Sequence, residues 1–169
     1  MGAALLERCL ARHGIDAAVV SAGTHAWDIG ATDETILVMQ EHGLDVGGHR
    51  SRQVTGAMID RADLVLGMTR DHVRAILLHR PDAKDRTFVV GELARLGRTV
   101  GARELHEPVR QWAARAAASR PHTHVVGRAA DEVADPIGAP IEVYRETAAA
   151  LDHAMAAIGA MLAGDPPTL

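Results

Sequence analysis

Apolar positions along this chain fall into two patterns. The first has helical spacing. Over residues 2–13, Leu6, Cys9, Leu10 and His13 share one face while Glu7, Arg8 and Arg12 point away, which predicts an amphipathic helix. From Ile141 onward, Tyr144, Ala148, Leu151, Met155, Ile158 and Leu162 recur at alternating spacings of three and four, predicting a long helix that ends at Asp165-Pro166-Pro167. Thr32 is placed to cap a helix running to His42. Thr69 is placed to cap another, with Val73, Ile76 and Leu77 inside and Pro81 closing it. Pro108 starts an Ala/Arg-rich helix through Ser119, with Val109 and Trp112 on its packed side. The second pattern is the short unbroken apolar run. Residues 17–22, 63–68 and 87–90 read as strands of the kind buried on both faces in parallel sheets.

Strands alternating with helices predict an α/β fold of three layers, a central parallel sheet with helices on both faces. The 169 residues fit a single domain, 1–169, with the less regular residues 98–126 read as a helical insertion. Composition sharpens this picture at three points. Aromatics make up 2% of the chain against 47% hydrophobic residues, so the core must be aliphatic. The formal net charge of -4, with both signs interspersed and no basic run, argues against a nucleic-acid partner. The single cysteine, Cys9, excludes an internal disulfide and fits a reducing, cytoplasmic setting. No run has the length or apolarity of a membrane span, and the first residues lack a signal-peptide pattern.

One tetrapeptide stands out chemically. In Asp135-Pro136-Ile137-Gly138 the proline restricts Asp135 to extended geometry and holds it out at a loop tip. A carboxyl group so placed could protonate a leaving oxygen and then take a proton from an attacking water. On these four residues alone, a plain Asp-Pro turn before a helix is the stronger reading. His122-Thr123-His124 sets two imidazoles close together without carboxylate or cysteine support, a poor metal site, so no metal and no other cofactor is expected.

Further segments surround that tetrapeptide: Val20-Ser21-Ala22-Gly23-Thr24, then Trp27 and Gly30, then Glu41-His42-Gly43-Leu44-Asp45, then His49-Arg50-Ser51-Arg52-Gln53-Val54-Thr55, then residues 62–66 leading into Met68-Thr69. In this order and at these spacings they resemble the low-molecular-weight protein-tyrosine-phosphatase family, which also holds bacterial arsenate reductases and protein-arginine phosphatases. The match covers about residues 1–97 and 127–163. The resemblance implies a parallel sheet whose first strand runs into a Cys-x5-Arg-Ser-Pro phosphate loop. The cysteine thiolate attacks phosphorus while loop amides and the arginine hold the phosphate oxygens. It further implies that Asp135 is the general acid, that Ser21 and His49 support the phosphate loop, and that Trp27 lines the substrate crevice. The implied partner is a phosphorylated protein or a small aryl phosphate.

The departures are as informative. Met1-Gly2-Ala3-Ala4-Leu5-Leu6 resembles the segment that follows the Ser-Pro of the loop, so the first strand and the phosphate loop are expected to be missing from these residues, as in a phosphatase read from an internal methionine. Cys9 does not replace the nucleophile: six positions later stands Ile15, not Arg, and Cys9 lies on the apolar face of its helix. Ile137 stands where many members carry an aromatic, which removes a ring that would sandwich a tyrosine. In the family the missing strand lies between those matching residues 17–22 and 63–68, and its removal leaves a gap of roughly 9–10 Å. Three functions follow as expectations: a phosphatase acting on phosphotyrosine or phosphoarginine, inactive without its nucleophile loop; a degenerate, non-catalytic binding module; and an arsenate reductase, for which one cysteine is few.

Overall fold

The structure, a computed structural model, describes residues 1–25, 28–121 and 126–165. Seven helices and two short strands follow one another among the described residues. They are α1 (Gly2–Arg12), α2 (Asp33–Glu41), α3 (Gly56–Arg61), β1 (Val65–Gly67), α4 (Arg70–His79), β2 (Thr87–Val89), α5 (Val90–Val100), α6 (Val109–Ala118) and α7 (Ile141–Ala163). Three helices start on a threonine. The hydroxyls of Thr32, Thr55 and Thr69 accept hydrogen bonds from the backbone N–H groups of Thr35, Met58 and His72, which would otherwise lack partners. Thr55 and its short helix were not expected from the sequence, and neither was α5.

β1 and β2 pair in parallel, Val65 opposite Thr87, Leu66 opposite Phe88 and Gly67 opposite Val89. Side chains alternate across a strand, and the two faces of this pair meet different helices. Val65 packs with Ile59 of α3 and Ile76 of α4. Leu66 and the fully buried Phe88 pack with residues of α1, α5, α6 and α7 in the main core. Helices therefore cover both faces, as the alternating pattern predicted. Leu5, Leu93, Trp112, Ile158 and Met161 are fully buried in that main core, which is otherwise aliphatic.

Residues 17–22 depart from the prediction. They form no ladder: the chain there touches sheet geometry only at a parallel bridge between Gly23 and Gln53. Val20 is 57% exposed. A strand needs a neighbour to satisfy its N–H and C=O groups, and among the described residues no strand bonds to the edge of β1 that faces away from β2. Residues 17–22 therefore pair with no strand.

Residues 98–121, the described run of the expected helical insertion, are anchored to the core. Trp112 of α6 is fully buried and its indole N–H donates to the carbonyl of Gly101 at 3.0 Å. The Arg115 guanidinium donates to the carbonyls of Val100 and Ala102 and to the carboxylate of Glu107. Arg120, just past α6, donates to both oxygens of the buried Glu92 and lies 4.3 Å over the Phe88 ring.

Candidate functional site

At the C-terminal end of β1 the loop that carries Asp135 meets the start of α1. Met68 follows β1 directly, and its carbonyl accepts the N–H of Val133 at 2.9 Å. This bond continues the strand edge into the loop that carries Asp135. The start of α1 reaches the same place: a side chain added at Gly2 would lie 3.4 Å from Cε of Met68. At His49 partial desolvation lowers the imidazole pKa first and the positive charge of Arg52 lowers it further, so the neutral form is favoured.

Asp135 is exposed, as the Asp-Pro geometry predicted, and its Oδ1 accepts the backbone N–H of Ile137 at 3.1 Å. Pro136 beside it is buried and holds the backbone in place. Ile137 is 65% exposed, presenting an apolar side chain next to the carboxylate. The turn closes with Ala139 N–H donating to the Pro136 carbonyl, and α7 begins after Pro140.

Upstream of Asp135 the loop is held by two carboxylates. Asp131 is 7% exposed and accepts Arg95 Nε and Nη2 of α5 at 3.2 and 2.8 Å, together with the backbone N–H of Arg128 at 2.9 Å. Burial pushes its pKa up, but the hydrogen bonds from Arg95 and Arg128 and their charges outweigh burial and hold it below the usual carboxylate value. Glu132 Oε1 accepts both the backbone N–H and Nε of Arg70, each at 2.9 Å. The Arg70 backbone bond, then its guanidinium, keep Glu132 ionised below its ordinary range. Sequence reading overlooked both carboxylates, because nothing in their spacing reveals partners 36 and 62 positions away.

The other expected site residues are less closely joined. Ser21 is half-buried in the unpaired segment 17–22. His49 is exposed, in a segment tied to residue 29: Ser51 N–H donates to the Ile29 carbonyl at 3.0 Å, and Ile29 N–H donates to Ser51 Oγ at 3.2 Å. Among the described residues no hydrogen bond joins Asp135, Ser21 and His49. Trp27 and the pair His122 and His124 lie outside the described residues. Among those described, no three His, Cys, Asp or Glu side chains gather as metal ligands. A cleft of about 280 Å³ opens beside the Gly23–Gln53 bridge, lined by Thr24, Gln53, Thr55, Ile59, Ile76 and His79. None of the expected site residues lines it.

Cys9 sits between α1 and α7. Its Sγ lies 3.9 Å from the Ala156 carbonyl and directly against Gly159. Burial and the Asp152 charge raise its thiol pKa above the ordinary value, and together they outweigh the opposing charges of Arg12 and Arg8. A raised pKa keeps the sulfur a thiol at neutral pH, the less reactive form.

An acidic loop seated at the C-terminal end of a parallel strand, where a helix also begins, is the position at which open α/β sheets place their binding sites. The family model for low molecular weight phosphotyrosine protein phosphatase matches residues 1–111. The chain belongs to this family. It is 32% identical over 146 residues to a protein-arginine-phosphatase of Geobacillus stearothermophilus, covering 86% of this chain and 74% of that protein. It is 36% identical over 94 residues to a "probable low molecular weight protein-tyrosine-phosphatase EpsP" of Ralstonia solanacearum. That match covers 55% of this chain and 62% of the relative's length. Among solved structures, the YwlE arginine phosphatase of Geobacillus stearothermophilus superposes with a TM-score of 0.61 at 30% identity, covering 94% of this chain and 80% of that one. A YwlE mutant from Bacillus subtilis superposes with a TM-score of 0.67 at 25% identity, covering 95% and 87%. No helix among the described residues is long and apolar enough to cross a membrane.

Proposed function

We propose that this chain is the acid-bearing part of a phosphatase that hydrolyses phosphorylated protein, with Asp135 as general acid and the nucleophilic cysteine outside these 169 residues. In the first step a thiolate attacks phosphorus and the bond to the leaving group breaks, with the Asp135 proton passing to the departing atom. In the second step Asp135, now a carboxylate, takes a proton from water as that water attacks the phosphocysteine, and phosphate leaves. No metal or cofactor enters this scheme. The observation that carries the reading is the convergence at Met68: the Asp135 loop bonds to its carbonyl while the start of α1 packs on its side chain. Among the described residues no strand bonds to the outer edge of β1, and a parallel strand added there would end at this same point. Ser21, His49 and Trp27 belong to the proposal as loop support and crevice wall. Phosphoarginine and phosphotyrosine both remain within it, since the relatives carry both names. So does a reducing, cytoplasmic setting, which rests on the single cysteine.

The test joins an apolar strand and a Cys-x5-Arg-Ser-Pro loop to Met1 and measures release from an aryl phosphate. The joined protein should turn over, and Asp135→Asn should lower kcat by about 10²- to 10⁴-fold. The 169-residue chain alone should release nothing. Turnover by the chain alone that depends on Cys9, or an Asp135→Asn variant with full activity, would overturn the proposal. A second reading, a non-catalytic binding module, rests on the lack of a Cys-x5-Arg pattern within these 169 residues, Cys9 being followed six positions later by Ile15. It predicts that the joined protein binds phosphate esters and releases no phosphate.

A further inference from the structure

The loop that carries Asp135 is fastened on both sides of its tip. At its base, the paired bonds from Arg95 to Asp131 hold it to α5. One residue later Glu132 accepts two bonds from Arg70 at the start of α4. Arg70 is the first residue of α4, so its N–H is one of the donors that a helix start leaves without a partner inside the helix. The next residue, Val133, bonds to the Met68 carbonyl. Glu132 therefore spans the junction between β1 and α4, three positions before Asp135. Pro136, buried on the far side, is the matching fixed point. Only Ala134 and Asp135 lie between these anchors, and both are exposed.

We propose that Glu132 is a positioning residue for Asp135: its carboxylate, bonded to the backbone and guanidinium of Arg70, fixes the register between the end of β1 and the loop tip. This deepens the phosphatase reading and rests on it. The alternative is that Val133 and the Arg95–Asp131 pair suffice, with Glu132 merely a half-exposed surface ion pair of small consequence. Two features argue against that. Both bonds converge on a single oxygen, and one donor is a backbone N–H that cannot swing away as a side chain can. A charged acceptor for such an N–H is worth more than a neutral one.

The test uses the isotope-labelled 169-residue chain and needs no turnover. In the parent, the Ile137 amide signal should follow the Asp135 carboxyl through its titration, because that N–H donates to Asp135 Oδ1. In Glu132→Ala the amides of Arg70 and Val133 should exchange about tenfold faster. The response of Ile137 to pH should shrink, and the amides of α1 and α7 should keep their protection. Glu132→Gln, which keeps an acceptor oxygen for the Arg70 N–H, should recover most of the Ile137 response. An unchanged Ile137 response in Glu132→Ala, or a uniform loss of protection across the molecule in both variants, would overturn the assignment. Loss of the phosphatase reading would show separately, as full activity of Asp135→Asn in the joined protein with the Glu132 result intact.

Discussion

Gly91→Ala is the substitution that most directly tests how the acidic loop is seated. Gly91 is the second residue of α5, in ordinary helical backbone, so alanine should by propensity stabilise the helix by about 0.5–1 kcal/mol. The surroundings reverse that sign. A methyl group built there lies 2.6 Å from the carbonyl oxygen of Asp131, 2.9 Å from its Cα and 3.0 Å from its carbonyl carbon. All three are backbone atoms, so no rotamer change relieves the clash. The loop must lift by the better part of an ångström, and lifting lengthens the paired bonds from Arg95 to Asp131, now 2.8 and 3.2 Å. Overpacking of this kind costs about 1–3 kcal/mol. Set against the propensity gain, the net should be a loss of up to about 2.5 kcal/mol, centred near 1. For a domain of this size each kcal/mol lowers Tm by about 2–4 °C. Calorimetric melting reads the loss, and amide exchange at Val133 locates it. Gly97→Ala is the comparison: there the nearest atoms are Sδ and Cε of Met161, at 2.6 and 2.7 Å, the far end of a side chain that can rotate. A Tm for Gly91→Ala at or above that of the parent, with Val133 protection unchanged, would refute the argument that close backbone approach demands glycine at this position.

Three further outcomes are expected. Glu92→Ala removes one partner of an ion pair whose side chains are 1% and 9% exposed, leaving Arg120 buried without its counter-charge. Urea unfolding should show a loss of about 3–5 kcal/mol. Asp131 has a folded-state pKa below its ordinary value of 3.8, so its stabilising contribution is complete above the unfolded-state pKa and disappears as pH falls through the lowered folded one. The urea midpoint of Asp131→Asn should therefore lie well below the parent's near neutral pH and converge on it in strong acid; parallel curves would contradict the assignment. Cys9, with its raised pKa, should react with iodoacetamide at pH 7.5 more slowly than a free cysteine, and rapid alkylation followed by mass spectrometry would reopen it as a nucleophile.

Much of the fold was legible because its causes are local. The spacing of Tyr144, Ala148, Leu151, Met155, Ile158 and Leu162 reports a helix face without help from distant residues, and all six are buried in α7. Thr32 and Thr69 cap helices through bonds to residues three positions on. Asp135 was legible as an exposed loop tip because the constraint is the proline after it. The helix α5 escaped notice because its two glycines have low helical propensity. Both stand where a neighbour comes close, the Asp131 backbone at Gly91 and Met161 at Gly97. Trp112 was placed on a packed face by its spacing, and it is fully buried in the main core.

The segment 17–22 and the Glu132–Arg70 clamp mark the boundary. Sequence by itself determined which stretches are apolar, where the helices capped by Thr32 and Thr69 begin and which carboxyl is held outward, since each follows from bonds within a few residues. Whether an apolar stretch becomes a paired strand depends on a neighbour's N–H and C=O groups. Whether a glutamate anchors a loop depends on an amide 62 positions away. Those partners meet only when the chain has folded, so tertiary structure alone decided them.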